Sequence, residues 1–190
     1  MKYLYFLYFS IIVLYGFVII EPIIITEHGI GKIMLKESTL EDIKNVYPNG
    51  KEEKETLFKK KQITYVTWAE GGCSKIKRQR QKITLTTYIL EEKNISFFLG
   101  SNNILGSISV WGKGKYKTEN GLVIGKHTFN DLDSIYGETP WIAHISGNCK
   151  LYKNIRFYPK KSISTKKTYY EDLKNYNNEV IEKATIFIKE

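Results

Sequence analysis

Three histidines, two cysteines and one dense run of cations are the residues of this 190-residue chain whose chemistry could be put to use. The histidines are His28, His127 and His144, and none belongs to an H-x-x-x-H or H-E-x-x-H pair. Cys73 and Cys149 form no C-x-x-C. A zinc site needs several such donors converging at short, recognisable spacings, so neither a metal nor a cofactor is expected. No G-x-S-x-G and no phosphate-binding loop occurs. Gly112-Lys113-Gly114 starts a G-x-G, but no helical pattern follows it. The chain is therefore read as a non-enzyme. An envelope hydrolase remains as an alternative, using His144 or His127 with Asp131, Asp133 or Glu138.

Lys75, Lys77, Arg78, Arg80 and Lys82 place five positive charges in the eight residues KIKRQRQK. In a cytoplasmic protein such a run suggests nucleic acid. Here it lacks the interleaved aromatics on which single-stranded bases stack, and the N-terminus described below argues for export. No nucleic acid is expected. What remains is a solvated arm, or a contact for anionic lipid, an envelope polymer or an acidic protein.

The elements that must position these residues start from composition. The chain is 42% hydrophobic and 26% charged, with a net charge of +9. These values fit a globular protein and exclude a disordered chain, a collagen-like repeat or a polytopic membrane protein. Only Arg78, Arg80 and Arg156 of the 29 cations are arginine, and tyrosine reaches 14. That bias matches translation from AT-rich DNA, so part of the charge is background. Residues 3–20 are uncharged and follow Lys2, and Glu21-Pro22 ends the run. Eighteen residues at about 1.5 Å each span a bilayer core. Residues 1–22 are read as a signal peptide or N-terminal membrane anchor. The remainder is then exported to the periplasm or the extracellular space, with the inner membrane as anchor if the segment is not cleaved. Outside the cytoplasm two cysteines of a small domain often pair, and Cys73 with Cys149 could form a disulfide.

Ser38-Thr39-Leu40-Glu41 opens a helix near residue 39, with Leu40, Ile43, Val46 and Tyr47 at helical spacing. A second helix is expected near 128–136. Residues 51–61 read as a loop or an exposed helix, and 171–183 as a helix. Strands are expected at 62–68, 82–90, 94–100, 104–111, 141–146, 150–159 and 184–189. IMLKESTLEDIKNVYP (33–48) and LVIGKHTFNDLDSIYG (122–137) match at an offset of 89 residues. Thr39, Asp42 and Tyr47 meet Thr128, Asp131 and Tyr136, and the apolar pattern is kept. The chain therefore reads as a first repeat over 23–118 and a second over 119–190.

Gly121 to Pro140 (GLVIGKHTFNDLDSIYGETP) carries this motif best, Gly29 to Pro48 is a degraded copy, and ISFFLGSNNILGSISV follows as a hairpin. Together they resemble small exported bacterial domains of the β-lactamase-inhibitor-protein and outer-membrane-assembly-lipoprotein group. The resemblance implies an α+β fold: two tandem subdomains of short helices packed on one face of antiparallel sheet. It also implies a module that binds another protein, inhibitor-like or assembly-factor-like. It carries over no catalytic residue. Strict alternation in the hairpin puts Phe98 and Trp111 on the more exposed side, opposite Phe97 and Ile108, as anchors for a protein partner.

Overall fold

The computed structural model describes residues 22–65, 75–112, 115–142, 147–160 and 175–188, with the backbone alone at 59–65, 75–81 and 175. The two helices among them start alike. Thr39 caps α1 (Leu40–Val46) and Thr128 caps α2 (Phe129–Tyr136), at φ/ψ of −93°/173° and −92°/174°. In each, the threonine hydroxyl accepts the amide three residues on, and that aspartate accepts the cap's own N–H at 2.8 and 2.7 Å. The reciprocal bonds satisfy donors that a helix start otherwise leaves orphaned. The turn before each helix is also shared. Lys36 at φ 68° and Gly125 at φ 81° occupy the same left-handed position, so the two sequences differ while the backbone does not. Met34 N–H donates to Ser38 Oγ at 2.9 Å, and Val123 N–H donates to His127 Nδ1 at 3.1 Å.

Strands dominate. They are β1 (Ile23–Ile25), β2 (Gly29–Ile30), β3 (Ile33–Met34), β4 (Lys51–Tyr65), β5 (Lys75–Leu90) and β6 (Ile95–Leu99). Then follow β7 (Leu105–Trp111), β8 (Tyr116–Thr118), β9 (Trp141–Ile142), β10 (Cys149–Tyr152), β11 (Ile155–Pro159) and β12 (Ile181–Phe187). One sheet has the order β3-β2-β1-β8, with β1 parallel to β8. The other has eight strands in the order β4-β5-β6-β7-β12-β11-β10-β9. It is two antiparallel meanders, β4–β7 and β9–β12, joined where β7 pairs with β12. Ser109 lies opposite Thr185 in that join, and their hydroxyls are 2.8 Å apart. Each helix start is strapped to one of the joining strands. Lys36 N–H donates to Leu105 O and Leu105 N–H to Ser38 O, while Gly125 and Ile181, then Ile181 and His127, repeat the pattern. Both meanders shift register at matching places, Phe98/Leu99 and Tyr158/Pro159.

This corrects the fold class expected from the sequence. The chain is mostly β, not an α+β arrangement of two tandem subdomains built from short helices on sheet. Residues 51–61, read as loop or helix, are strand β4, although they show no alternation of apolar residues. Their conformation is imposed by pairing with β5 along its whole described length. The stretch 175–183, read as part of a helix, is a 3₁₀ turn (Asn175–Asn178) leading into β12. Ile181 is fully buried there, and β12 pairs with both β7 and β11. Long-range strand pairing overrides a local helical spacing.

The core lies between the large sheet and the helices. Tyr47 stacks on Phe97 with centroids 5.7 Å apart, and Tyr136 packs near Phe157 at 6.4 Å. Between each helix and the sheet's strands a charged and an aromatic group meet in a different permutation, exposed at α1 and buried at α2. At the exposed side of α1, Lys44 bonds Glu52 on β4 at 2.6 Å and lies 6.0 Å from the Tyr88 ring. Under α2 the helix supplies Asp133. It holds the buried Lys150 of β10, whose ammonium lies 5.5 Å from the Trp141 ring. Thr139 donates its N–H and hydroxyl to the other Asp133 oxygen, so the buried cation has a fully bonded counter-charge. Tyr88 ties α1 down: its hydroxyl donates to Tyr47 O at 2.6 Å and accepts from Gly50 N–H at 2.8 Å. A Cβ on Gly50 would come within 2.3 Å of that ring, so the approach requires glycine.

The shared left-handed turn gives a direct test. A non-glycine residue there costs about 1 kcal/mol. Lys36→Gly should raise unfolding free energy by up to that amount, and Gly125→Lys should lower it by at least as much, both read by denaturant titration.

Candidate anion-binding ribbon

β4 and β5 pair from Lys51↔Ile89 to Tyr65↔Lys75, but β6 pairs with β5 only from Thr86 to Leu90. Among the described residues, β4 is the only strand partner of β5 from Lys75 to Leu85, and β4 is the sheet edge. The hairpin therefore leaves the body as a two-stranded ribbon. Eleven residues at about 3.3 Å each carry it roughly 35 Å beyond the sheet.

Charge is segregated along the ribbon. At its base β4 mixes signs: Lys51 pairs with Glu53 and Lys54 with Glu52, both at 2.7 Å. Lys44 and Lys54 together pull the Glu52 carboxyl down to about 2. Beyond Glu55 the described ribbon has no carboxylate and eight cations: Lys59, Lys60, Lys61, Lys75, Lys77, Arg78, Arg80 and Lys82. Cross-strand partners share a face, and faces alternate along each strand. One face therefore holds Lys59, Lys61, Lys77 and Lys75. The other holds Lys82 opposite Phe58, Lys60 opposite Arg80, and Arg78 opposite Gln62. Like charges set directly opposite destabilise a strand pair, and Lys60↔Arg80 is such a pair. Neighbours on a face are about 7 Å apart, inside the screening length of about 8 Å at physiological salt. Their potentials add, and an anion laid along the ribbon would relieve the repulsion.

The sequence singled out the β5 half of this set. It missed Lys59, Lys60 and Lys61, because nothing local shows that they lie opposite Gln81, Arg80 and Gln79. The aromatic pair is less concerted. Phe98 is 39% exposed and lies opposite Ser107 and Thr87, while Phe97 and Ile108 are fully buried. Trp111 is half-buried and pairs with Lys183. Phe98 pairs with Ser107, so Trp111 stands four residues further along β7, about 13 Å away. Ser96 and Ser109 lie buried between them.

The residues weighed for catalysis are occupied or apart. His127 accepts a backbone N–H through Nδ1, Asp131 caps α2 and is held below the usual carboxylate range by its bonds to Thr128, and Asp133 holds Lys150. His28 is exposed beside Glu27, and Glu138 is exposed. His144 lies outside the described residues. Cys149 is a buried free thiol in β10, and burial pushes it up to about 11, far from the thiolate form a nucleophile needs. Cys73, its suggested disulfide partner, lies outside the described residues, as does the apolar segment 3–20. Among the described residues no cluster suits a metal ion, and no helix is long and apolar enough to cross a membrane.

No family model matches the chain, and no curated protein matches it. Among solved structures it is similar to the uncharacterized protein yfeY from Escherichia coli. The two are 12% identical with a TM-score of 0.49, over 86% of this chain and 99% of that one.

The mixed-sign base of the ribbon can be tested by pH. Glu52 is depressed in the folded state, so its stabilising contribution is complete above the ordinary carboxylate value of 4.5 and fades as pH falls through about 2. Glu52→Gln should unfold at slightly lower denaturant than wild type at pH 7. The difference should shrink steadily below pH 4.5 and vanish near pH 2. The effect should be small, because the pair is partly solvated.

Proposed function

We propose that the chain is a non-enzymatic envelope module that contacts an anionic surface or polymer through the β4–β5 ribbon. The observation that carries this reading is the segregation of charge: among the described residues of the hairpin beyond Glu55 there are eight cations and no carboxylate, and the residues between Tyr65 and Lys75 add one, Glu70. An ordinary solvated face mixes both signs, as the ribbon base does. The apolar segment 3–20, read as an export signal or anchor, supports placing the module in the envelope.

A protein-binding face around Phe98 is the second reading, favoured by the 39% exposure of that ring. Its intended companion Trp111 is half-buried and displaced along the sheet, so the ribbon is the better-formed contact.

The full chain in neutral detergent should bind a sulfated polysaccharide such as heparin. Affinity should fall about tenfold or more between about 50 and 200 mM salt, because each neutralised anion releases counterions. Replacing Lys59, Lys61, Lys75 and Lys77 by glutamine should abolish most of the binding, while the same change at Lys115, Lys117 and Lys126 should not. Salt-independent binding, or equal losses in both variants, would contradict the assignment.

A further inference from the structure

We propose that the anionic partner of the ribbon is a lipid bilayer surface, and that Phe58 enters it. This rests on the reading that the ribbon binds anions.

Phe58 is 67% exposed, the most exposed of the large apolar side chains described. Its cross-strand partner is Lys82, and Lys60 and Arg80 follow on the same face. The position of that ring keeps it out of the core: among the described residues β5 has no partner but β4 at Lys82, and the helices lie over the body of the sheet. A soluble polyanion could neutralise the cations but would leave the ring in water. A bilayer surface accepts both groups, phosphates meeting the ammonium and guanidinium groups while an aromatic ring settles at the headgroup boundary. Leu57, 42% exposed, is the smaller apolar group of the opposite face, two residues before Lys59, so the Phe58 face offers the larger ring to lipid.

The chain outside the described structure favours the same partner. Residues 3–20 are uncharged and long enough to span a bilayer core, and β1 begins at Ile23, directly after Glu21-Pro22. A module tethered at that point works beside a membrane, where a ribbon reaching about 35 Å meets headgroups at high effective concentration.

The test uses the full chain reconstituted in phosphatidylcholine vesicles, so that segment 3–20 is already accommodated and cannot itself cause capture. Labelled protein-free vesicles are then added, made of phosphatidylcholine alone or with phosphatidylglycerol. Capture of the anionic vesicles should exceed capture of the neutral ones at least tenfold and disappear at high salt. Phe58→Ser should reduce capture several-fold while leaving heparin binding of the full chain in detergent unchanged, which also shows that the variant is folded. Heparin binding without capture of anionic vesicles would overturn the lipid assignment and leave the ribbon's anion binding standing. Loss of both would overturn both. Capture indifferent to Phe58→Ser would overturn the role given to the ring.

Discussion

Five backbone pairs between β7 and β12, from Trp111↔Lys183 to Ser107↔Phe187, make one sheet out of two meanders. Ile108, Val110, Ala184 and Ile186 lie along this join, each fully buried. Separated, each meander would present an unpaired edge lined with apolar residues, the arrangement that invites aggregation. Joined, the two strands fix everything around them. Each helix start is bonded to the first residues of a joining strand, Leu105 for α1 and Ile181 for α2. β6 and β11 are then placed so that Phe97 and Phe157 meet Tyr47 and Tyr136. The join also leaves β4 at one edge of the sheet, and only an edge strand can run on past its neighbours as half of a projecting ribbon.

The two halves show how one geometry accepts different chemistry. The cap, the left-handed turn and the register shift recur with little change, because each is set by backbone requirements. The side chains between helix and sheet do not recur. Lys44, Glu52 and Tyr88 on one side stand where Asp133, Trp141 and Lys150 stand on the other, by pairing of Glu52 with Tyr88 and of Trp141 with Lys150. What is retained is a helix charge answered from the sheet beside an aromatic ring. Reversing the sign moves the cation into the core, where Lys150 is only 2% exposed. Such a charge is tolerable only with its partner in place.

What could be read from the sequence follows the range of the interaction responsible. The helix starts were legible because a capping box is complete within four residues, Thr39 to Asp42 and Thr128 to Asp131. The alternation of ISFFL gave β6 and the burial of Phe97. Only the end of β4, from Gln62, was legible: Lys51 to Lys61 has strand conformation because β5 lies beside it, and no local pattern reports that. The same blindness hid half of the candidate site, since Lys59, Lys60 and Lys61 gain meaning only from the register that sets them against Gln81, Arg80 and Gln79. It also hid the mostly-β character, because Glu55 or Lys60 in isolation favours helix as readily as strand.

The central claim is that contact with anions is made by the ribbon and not by the body of the sheet. Hydrogen–deuterium exchange of the full chain in neutral detergent, with and without a sulfated polysaccharide, addresses it residue by residue. The account predicts slowed exchange confined to residues 57–64 and 76–83, with Ile95–Leu99 and Leu105–Trp111 unchanged. Protection appearing around Phe98 and Ser107, with the ribbon unaltered, would contradict it.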